Sequence, residues 1–518
     1  MNIVNDIYKV ARKIPDKICI IQSGNKISYS ELLNRIDNLE TILLRMGIRE
    51  KDKVALILPN SLDLIVSFLC ILKINAIAVP LEPIYVLREY QETFSECNPK
   101  LLITTSAILM KSLVYDAVLL ENKKILIADK CKFTEKSASG NPNFSNVKIR
   151  NIGYNTSLDE LLGQPSNKTN APALSIDHNL SYSDIPESSE YDKEIISDDD
   201  HIASINYTYR GFGYHVGALL THENYLAGAE ALTNIGKNAK TFFSLVPMAH
   251  IYGLIAGIII PLLRGIETVI ITSLSPRSIF KTIENTGIEF LISVPQLYTY
   301  LMQHFEKDKY DISSLKYCIS GGSFLSAQTH EQIEQTLGID LYQGYGLTEG
   351  LIVSCNRTED NKPGTLGLPA QGISIKIADN NFNDLGVNKK GQILIHGPTV
   401  MKGYFRKEYE TNQVLKHGWL CTGDYGHFDE QGYLYYDGLK KPIANISGHC
   451  ADLKEIERIL LMHPHIIEAK AHTQDDELLG HRISVEVTTD KETAEHEIRE
   501  FCYSRISCYK MPKNIIIS

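Results

Sequence analysis

Residues 207–224 hold Gly211, Gly213 and Gly217 in a run that also carries Thr208 and Arg210. A loop that binds phosphate keeps small residues so that backbone N–H groups turn inward, and adds hydroxyls and a cation for the oxyanions. The three glycines can form such a nest, but Tyr209 and Phe212 bring bulk into it. Arg210 supplies a charge, and a guanidinium takes two phosphate oxygens at once. The run therefore points to an anion site of altered chemistry. The competing reading keeps the turn for shape alone, with Arg210 facing solvent or the acidic stretch Asp198, Asp199 and Asp200.

Other chemistries are disfavoured. The ten cysteines are scattered and none forms a Cys-x-x-Cys pair, which speaks against a zinc site and for small buried side chains in a reducing cytosol. With 52 basic and 62 acidic residues the net charge is −10, so no nucleic-acid partner is expected. Residues 241–263 lack Asp, Glu, Lys and Arg, but include Pro247, His250, Gly253, Gly257 and Pro261. A buried helix preceded by a loop is expected there, not a transmembrane span. Asp6, Lys9, Arg12 and Lys13 interrupt the apolar positions of the N-terminus, predicting an amphipathic surface helix and no signal peptide.

Several segments occur in the order and spacing of one family. They are Ala78-Val79-Pro80-Leu81-Glu82-Pro83, the glycine run just described, and Pro247-Met248-Ala249-His250-Ile251-Tyr252-Gly253-Leu254. Ser320-Gly321-Gly322-Ser323 with Gln343-Gly344-Tyr345-Gly346-Leu347-Thr348-Glu349 follows, then Trp419-Leu420-Cys421-Thr422-Gly423-Asp424. A stretch from Gly438-Leu439-Lys440-Lys441 through Gly448 to Glu455-Ile456-Glu457 completes the set. Together, from about residue 8 to 512, the chain resembles the adenylate-forming superfamily, the AMP-binding acyl-CoA synthetases.

That resemblance implies roles. Thr208, Arg210, Gly211, Gly213 and Gly217 would face the phosphates. Gly321, Gly322 and Ser323 would line the base pocket, Tyr345 would stack on adenine, and Asp424 would accept from the ribose hydroxyls. Thr348 would contact the reacting phosphate and Glu349 would hold Mg²⁺, since a hard cation wants carboxylate oxygen. His250 would border the carboxylate pocket, and Lys441 would fall on the pivot of a small C-terminal lid. The departures lie at the same places. Tyr209, Arg210, Gly211 and Phe212 replace the family's small hydroxylated stretch, Val216 replaces its lysine and Leu439 its arginine. The family's later Gly-Lys segment would follow Ser518, so the lid is expected to be incomplete.

The implied reaction joins a small fatty or aryl carboxylic acid to a thiol through an acyl-adenylate. ATP/AMP, Mg²⁺ and coenzyme A or phosphopantetheine would be cofactors, and an acyl carrier protein a conceivable partner. No Asp follows Phe242-Phe243-Ser244, which disfavours an α-amino acid. Two alternatives stay open: a nucleotide- or acyl-binding protein without this activity, and an enzyme using the same pockets for another transfer. Oligomeric state is not indicated.

The chain has 518 residues, enough for three or four packed units, and its 43% hydrophobic and 22% charged content is that of a soluble enzyme. Short apolar runs at 54–58, 76–80 and 101–105 alternate with a helical pattern at 63–75, which predicts parallel sheets covered by helices. The expected fold is α/β: a large N-terminal domain over 1–437 of two αβ sheets packed face to face, with a small α+β C-terminal domain over 438–518. Within the first lie a polar connector at 163–200 and a β-rich subdomain at 364–437. The small domain should hold a helix over 453–462 and a strand over 482–487.

Overall fold

The computed structural model describes residues 2–109, 124–128, 148–151, 200–232, 235–271, 273–476 and 479–518. The connector expected at 163–200 lies outside these residues except for Asp200.

Val54-Ala55-Leu56-Ile57 is buried throughout the strand Lys53–Ile57, as a strand covered on both faces must be. It runs parallel to Ile77–Pro80 on one side and Leu101–Thr104 on the other. The helix Leu62–Lys73 begins at Ser61, whose side chain accepts from the Leu64 amide. Asp63 in its first turn and Lys73 in its last oppose the helix dipole, and the stretch from Leu64 to Leu72 between them is buried. These elements belong to an eight-stranded sheet that also contains Ile202–Tyr209 and His215–Thr221. A nine-stranded sheet holds Thr241–Ser244, Phe290–Ser293, Tyr317–Ser320 and Leu341–Leu347. One continuous apolar core takes side chains from both sheets. The N-terminal helix Ile3–Lys13 is amphipathic as expected, and buries Ile3, Val4, Ile7, Tyr8 and Ala11 in that core.

The uncharged stretch 241–263 is not simply a loop and a helix. It opens with the strand Thr241–Ser244, held in parallel register between Glu267–Ile270 and Phe290–Ser293. Phe242 and Phe243 each project into an apolar layer, one on either side of the sheet, which a central strand requires and a loop does not. The helical part follows as Ile251–Leu254, a π-helical turn Ile255–Ile259, and Ile260–Arg264. No helix among the described residues is long and apolar enough to cross a membrane.

A five-stranded sheet spans Ser374 to Leu439. Its strand Leu434–Leu439 pairs with Trp419–Phe428, placing Leu439 opposite Asp424, so regular pairing continues past the expected boundary at 437. The C-terminal unit has its own sheet, built on the hairpin Ile443–Ile446 and His449–Asp452 and on the strands Ile466–Asp476, Gly480–Thr489 and Asn514–Ile517. The helices Leu453–Leu460 and Glu495–Tyr503 cover it, with Ile456, Ile459, Val485, Ile498 and Cys502 in a separate core.

Candidate active site

The glycine run folds as two antiparallel strands joined by residues 210–214. Gly211 and Gly213 sit in the turn, and Gly213 has φ +85°, where a side chain would be strained. Its N–H donates to Asp452 Oδ2 at 3.0 Å, an anion contact supplied by the C-terminal unit. Gly217 is not in the turn. It lies within the strand His215–Thr221, where a Cβ would stand 2.5 Å from Ile205 Cγ2, so its smallness serves sheet packing. Thr208 pairs with Val216 in the same hairpin.

Arg210 is expected at phosphate, but its guanidinium is engaged within the protein. Its side chain is 5% exposed, Nε lies 3.0 Å from Glu349 Oε1, and Nη2 donates to the Cys421 carbonyl at 3.0 Å. The Nε–H is not aimed along the line to the carboxylate, so that contact is chiefly one of charge. Burial opposes the Arg210 charge most, yet Glu349 together with Tyr404, Asp424 and Tyr345 outweighs it and holds the guanidinium pKa above its ordinary value. Tyr404 also donates to Glu349 Oε1, at 2.7 Å. The carboxylate expected at Mg²⁺ therefore already serves a cation and a phenol. Thr348 is buried beside it.

Asp424 and Tyr345 come together across 79 residues: the phenol donates to Asp424 Oδ2 at 2.6 Å. The Asp424 backbone N–H donates to Thr422 Oγ1, which fixes the Thr-Gly-Asp turn. Gly321, Gly322 and Ser323 follow the strand Tyr317–Ser320. The Gly322 carbonyl accepts from Asn445 of the C-terminal hairpin at 2.6 Å, and Gln296 donates to Ser323 Oγ at 2.9 Å. The ring of Tyr252 packs where a Cβ on Gly321 would lie, 3.2 Å away.

His250 caps the helix Ile251–Leu254, its Nδ1 accepting from the Tyr252 amide at 3.3 Å. Burial pushes its pKa below the ordinary value, against the pull of Glu82. Glu82 in turn lies 2.9 Å from His449 Nε2 on the C-terminal hairpin. Burial opposes both charges of that pair, but each partner holds the other charged, so Glu82 is shifted down and His449 up. Lys441 threads between the loop and the Asp424 turn. A Cβ on Gly423 would stand 2.0 Å from Lys441 Cε, so only glycine leaves room for the lysine stem. Burial, then the Arg210 charge, lower the Lys441 ammonium to about 8.

Arg210, Glu349, Tyr345, Asp424 and Lys441 thus lie together, while His250 and the Gly321–Ser323 turn are linked through Tyr252. Sequence reading missed Tyr404, Tyr252, Glu82, His449 and Asp452. Glu82 lay within a recognised segment. So did Tyr252, whose ring meets Gly321, while Tyr404, His449 and Asp452 are placed by contacts between distant parts of the chain.

The AMP-binding enzyme family profile matches residues 7–405. A long-chain-fatty-acid–CoA ligase of Bacillus subtilis is 29% identical over 97% of this chain and 88% of its own length. A medium-chain fatty-acid–CoA ligase of Escherichia coli is 26% identical over 98% and 85%. Among solved structures, the o-succinylbenzoate CoA synthetase of Bacillus subtilis superposes with a TM-score of 0.78 at 20% identity, covering 99% of this chain and 94% of that one. The amide bond synthetase of Marinactinospora thermotolerans gives 0.80 at 18% identity, covering 100% and 96%.

Proposed function

The chain belongs to the AMP-binding enzyme family, and from that premise we propose that it activates a carboxylic acid with ATP and passes the acyl group to a thiol. The acid's carboxylate oxygen attacks the α-phosphorus and pyrophosphate leaves. The thiol sulfur then attacks the acyl carbon, its proton is lost, and AMP leaves. The observation that carries this reading is the meeting of Tyr345 and Asp424 beside Arg210 and Glu349. Residues with no local reason to be together converge there, and their types suit a nucleoside and its phosphates.

Asp424 holds the ribose, Tyr345 lies against the base, and Arg210 with the Gly213 amide faces the phosphates. Transition-state charge at the α-phosphorus is met by these donors and by Lys441. Mg²⁺ suits the chemistry as a companion of the triphosphate, since it keeps several waters and needs only one or two carboxylates; Glu349 is the one placed to give an oxygen. Fatty acids of medium or long chain, the substrates named for the relatives, are the first acids to consider. Coenzyme A is the first thiol, and a carrier-protein pantetheine the second.

A second reading has a specific observation behind it. Glu349 engages the Arg210 charge and Asp452 engages the loop amide, as in a protein that binds without turning over. Acid-dependent pyrophosphate release separates the two. Fatty and aryl acids should support it and rank above free amino acids, because no carboxylate stands at the strand Thr241–Ser244 to meet an α-ammonium. Amino acids ranking first would overturn the substrate class. No release above the acid-free control with any acid of either kind would favour the binding protein.

A further inference from the structure

The altered residues of the loop do more than fill space: they meet the C-terminal unit. Gly213 donates its N–H to Asp452 Oδ2, while Asp452 Oδ1 accepts from the Lys454 and Glu455 amides and so caps the helix Leu453–Leu460. This carboxylate, fully buried, is satisfied by three backbone donors from the two units. Tyr209 donates to Glu455 Oε1 at 3.1 Å, a reach that the small side chain usual at this position in the family would lack.

Behind Tyr209 lies a buried ionic cluster. Lys510 is fully buried, 3.9 Å from the centre of the Tyr209 ring, and donates to Glu89 Oε1 and, at 2.9 Å, to Glu455 Oε2. Arg88 pairs with Glu455 Oε1 at 2.5 Å and donates through Nε to the Arg505 carbonyl at 2.7 Å. Ser507 and the Val86 amide complete Glu89. Arg88 also pairs with Glu92 Oε1 at 2.5 Å, at the half-buried edge of the cluster. At its buried centre Glu89 and Glu455 balance Arg88 and Lys510, and each of their carboxylate oxygens has a donor. Arg88 and Glu89 come from the helix Leu87–Cys97 of the large unit, Glu455, Ser507 and Lys510 from the C-terminal unit, and Tyr209 from the end of the strand that leads into the loop. Removing one member leaves another charge buried without its partner, which favours separation of the units.

We propose that this arrangement is a latch: the Arg88–Glu89–Glu455–Lys510 cluster, seated on Tyr209, holds the Asp452 carboxylate on the Gly213 amide and so keeps a nucleotide's phosphates out until the C-terminal unit undocks. An anionic phosphate oxygen and the Asp452 carboxylate want the same N–H. Neither can use it while the other does. The inference rests on the nucleotide reading of the site and adds its regulation, an exclusion aimed at the phosphates and not at the nucleoside.

The test uses the full chain and two variants that act on different parts of the latch. Lys510→Met should undock the C-terminal unit, seen as a larger radius of gyration by small-angle scattering. Asp452→Ser keeps a helix cap but cannot reach Gly213, so the unit should stay docked with the amide released. In both variants the ratio of ATP to adenosine affinity, measured by calorimetry, should rise at least about tenfold, the worth of one charge-assisted hydrogen bond. An unchanged radius for Lys510→Met overturns the latch. An unchanged ratio in both variants, with adenosine still bound, overturns the exclusion while leaving the nucleotide reading intact. If Lys510→Met does not fold, the ratio for Asp452→Ser decides alone. Absence of adenosine binding in all three proteins sinks the nucleotide reading, and the exclusion with it.

Discussion

Arg210→Ala lowers the stability of the large unit by about 3–5 kcal/mol, the cost of breaking a buried ion pair by removing one partner. Glu349 is 1% exposed, and with the guanidinium gone only the Tyr404 phenol donates to its Oε1. A buried carboxylate left without its cation is destabilised. The Cys421 carbonyl also loses a donor. The double variant Arg210→Met with Glu349→Gln should recover most of the loss, because it leaves no uncompensated charge. Urea unfolding followed by fluorescence checks this. A single-variant cost below about 1 kcal/mol would place the pair in the class of solvent-screened surface bridges and contradict the site described above. The same substitution also says how the site meets ATP: Arg210 can serve a phosphate only by loosening its hold on Glu349, so the ion pair and the ligand compete for one guanidinium.

Asp424→Ala should weaken ATP and AMP alike, by about 3–6 kcal/mol, if two ribose hydroxyls each give up a hydrogen bond to a charged acceptor worth about 1.5–3 kcal/mol. Within the protein the change also removes the acceptor of the Tyr345 phenol, whose 2.6 Å bond holds that ring in place. Both losses act on the nucleoside, not on the phosphate chain, so the ratio of ATP to AMP affinity should stay near that of the parent. Calorimetry with ATP, AMP and adenine provides the readout, and adenine should be affected least because it has no ribose. Loss of ATP binding with AMP unaffected would mean that Asp424 acts at the phosphates or at the metal, and the ribose assignment would fail.

Much of the scaffold was readable because it rests on local rules. Buried parallel strands write themselves as short apolar runs, and the helix Leu62–Lys73 carries its own cap and charge signals. The strand Thr241–Ser244 was not seen because a four-residue apolar run has too little periodicity to tell a strand from the start of a buried helix. Strand pairing with Asp424 carries the chain two residues past the expected boundary at 437, which a glycine marked. In the candidate site, motif residues such as Tyr345, Glu349 and Asp424 were singled out through the family resemblance of their segments. The partners that decide their chemistry were not. Arg210 was read as a free charge because nothing in residues 207–224 reveals that Glu349 lies 3.0 Å away. Gly217 was read as part of the nest when it is a packing contact with Ile205. Lys510 and Asp452 drew no attention because their meaning depends on how two separately folded units meet.

The central claim is that this chain joins an acid to a thiol with cleavage of ATP to AMP. Its most direct test is chromatographic quantitation of nucleotides and thioesters after incubation with ATP, Mg²⁺, coenzyme A and a panel of fatty and aryl acids. The account predicts AMP and acyl-CoA in equal amounts for at least one acid, with neither formed when acid or coenzyme A is withheld and both strongly reduced in Asp424→Ala. ADP in place of AMP, or no AMP above the acid-free control with any acid in the panel, would contradict it.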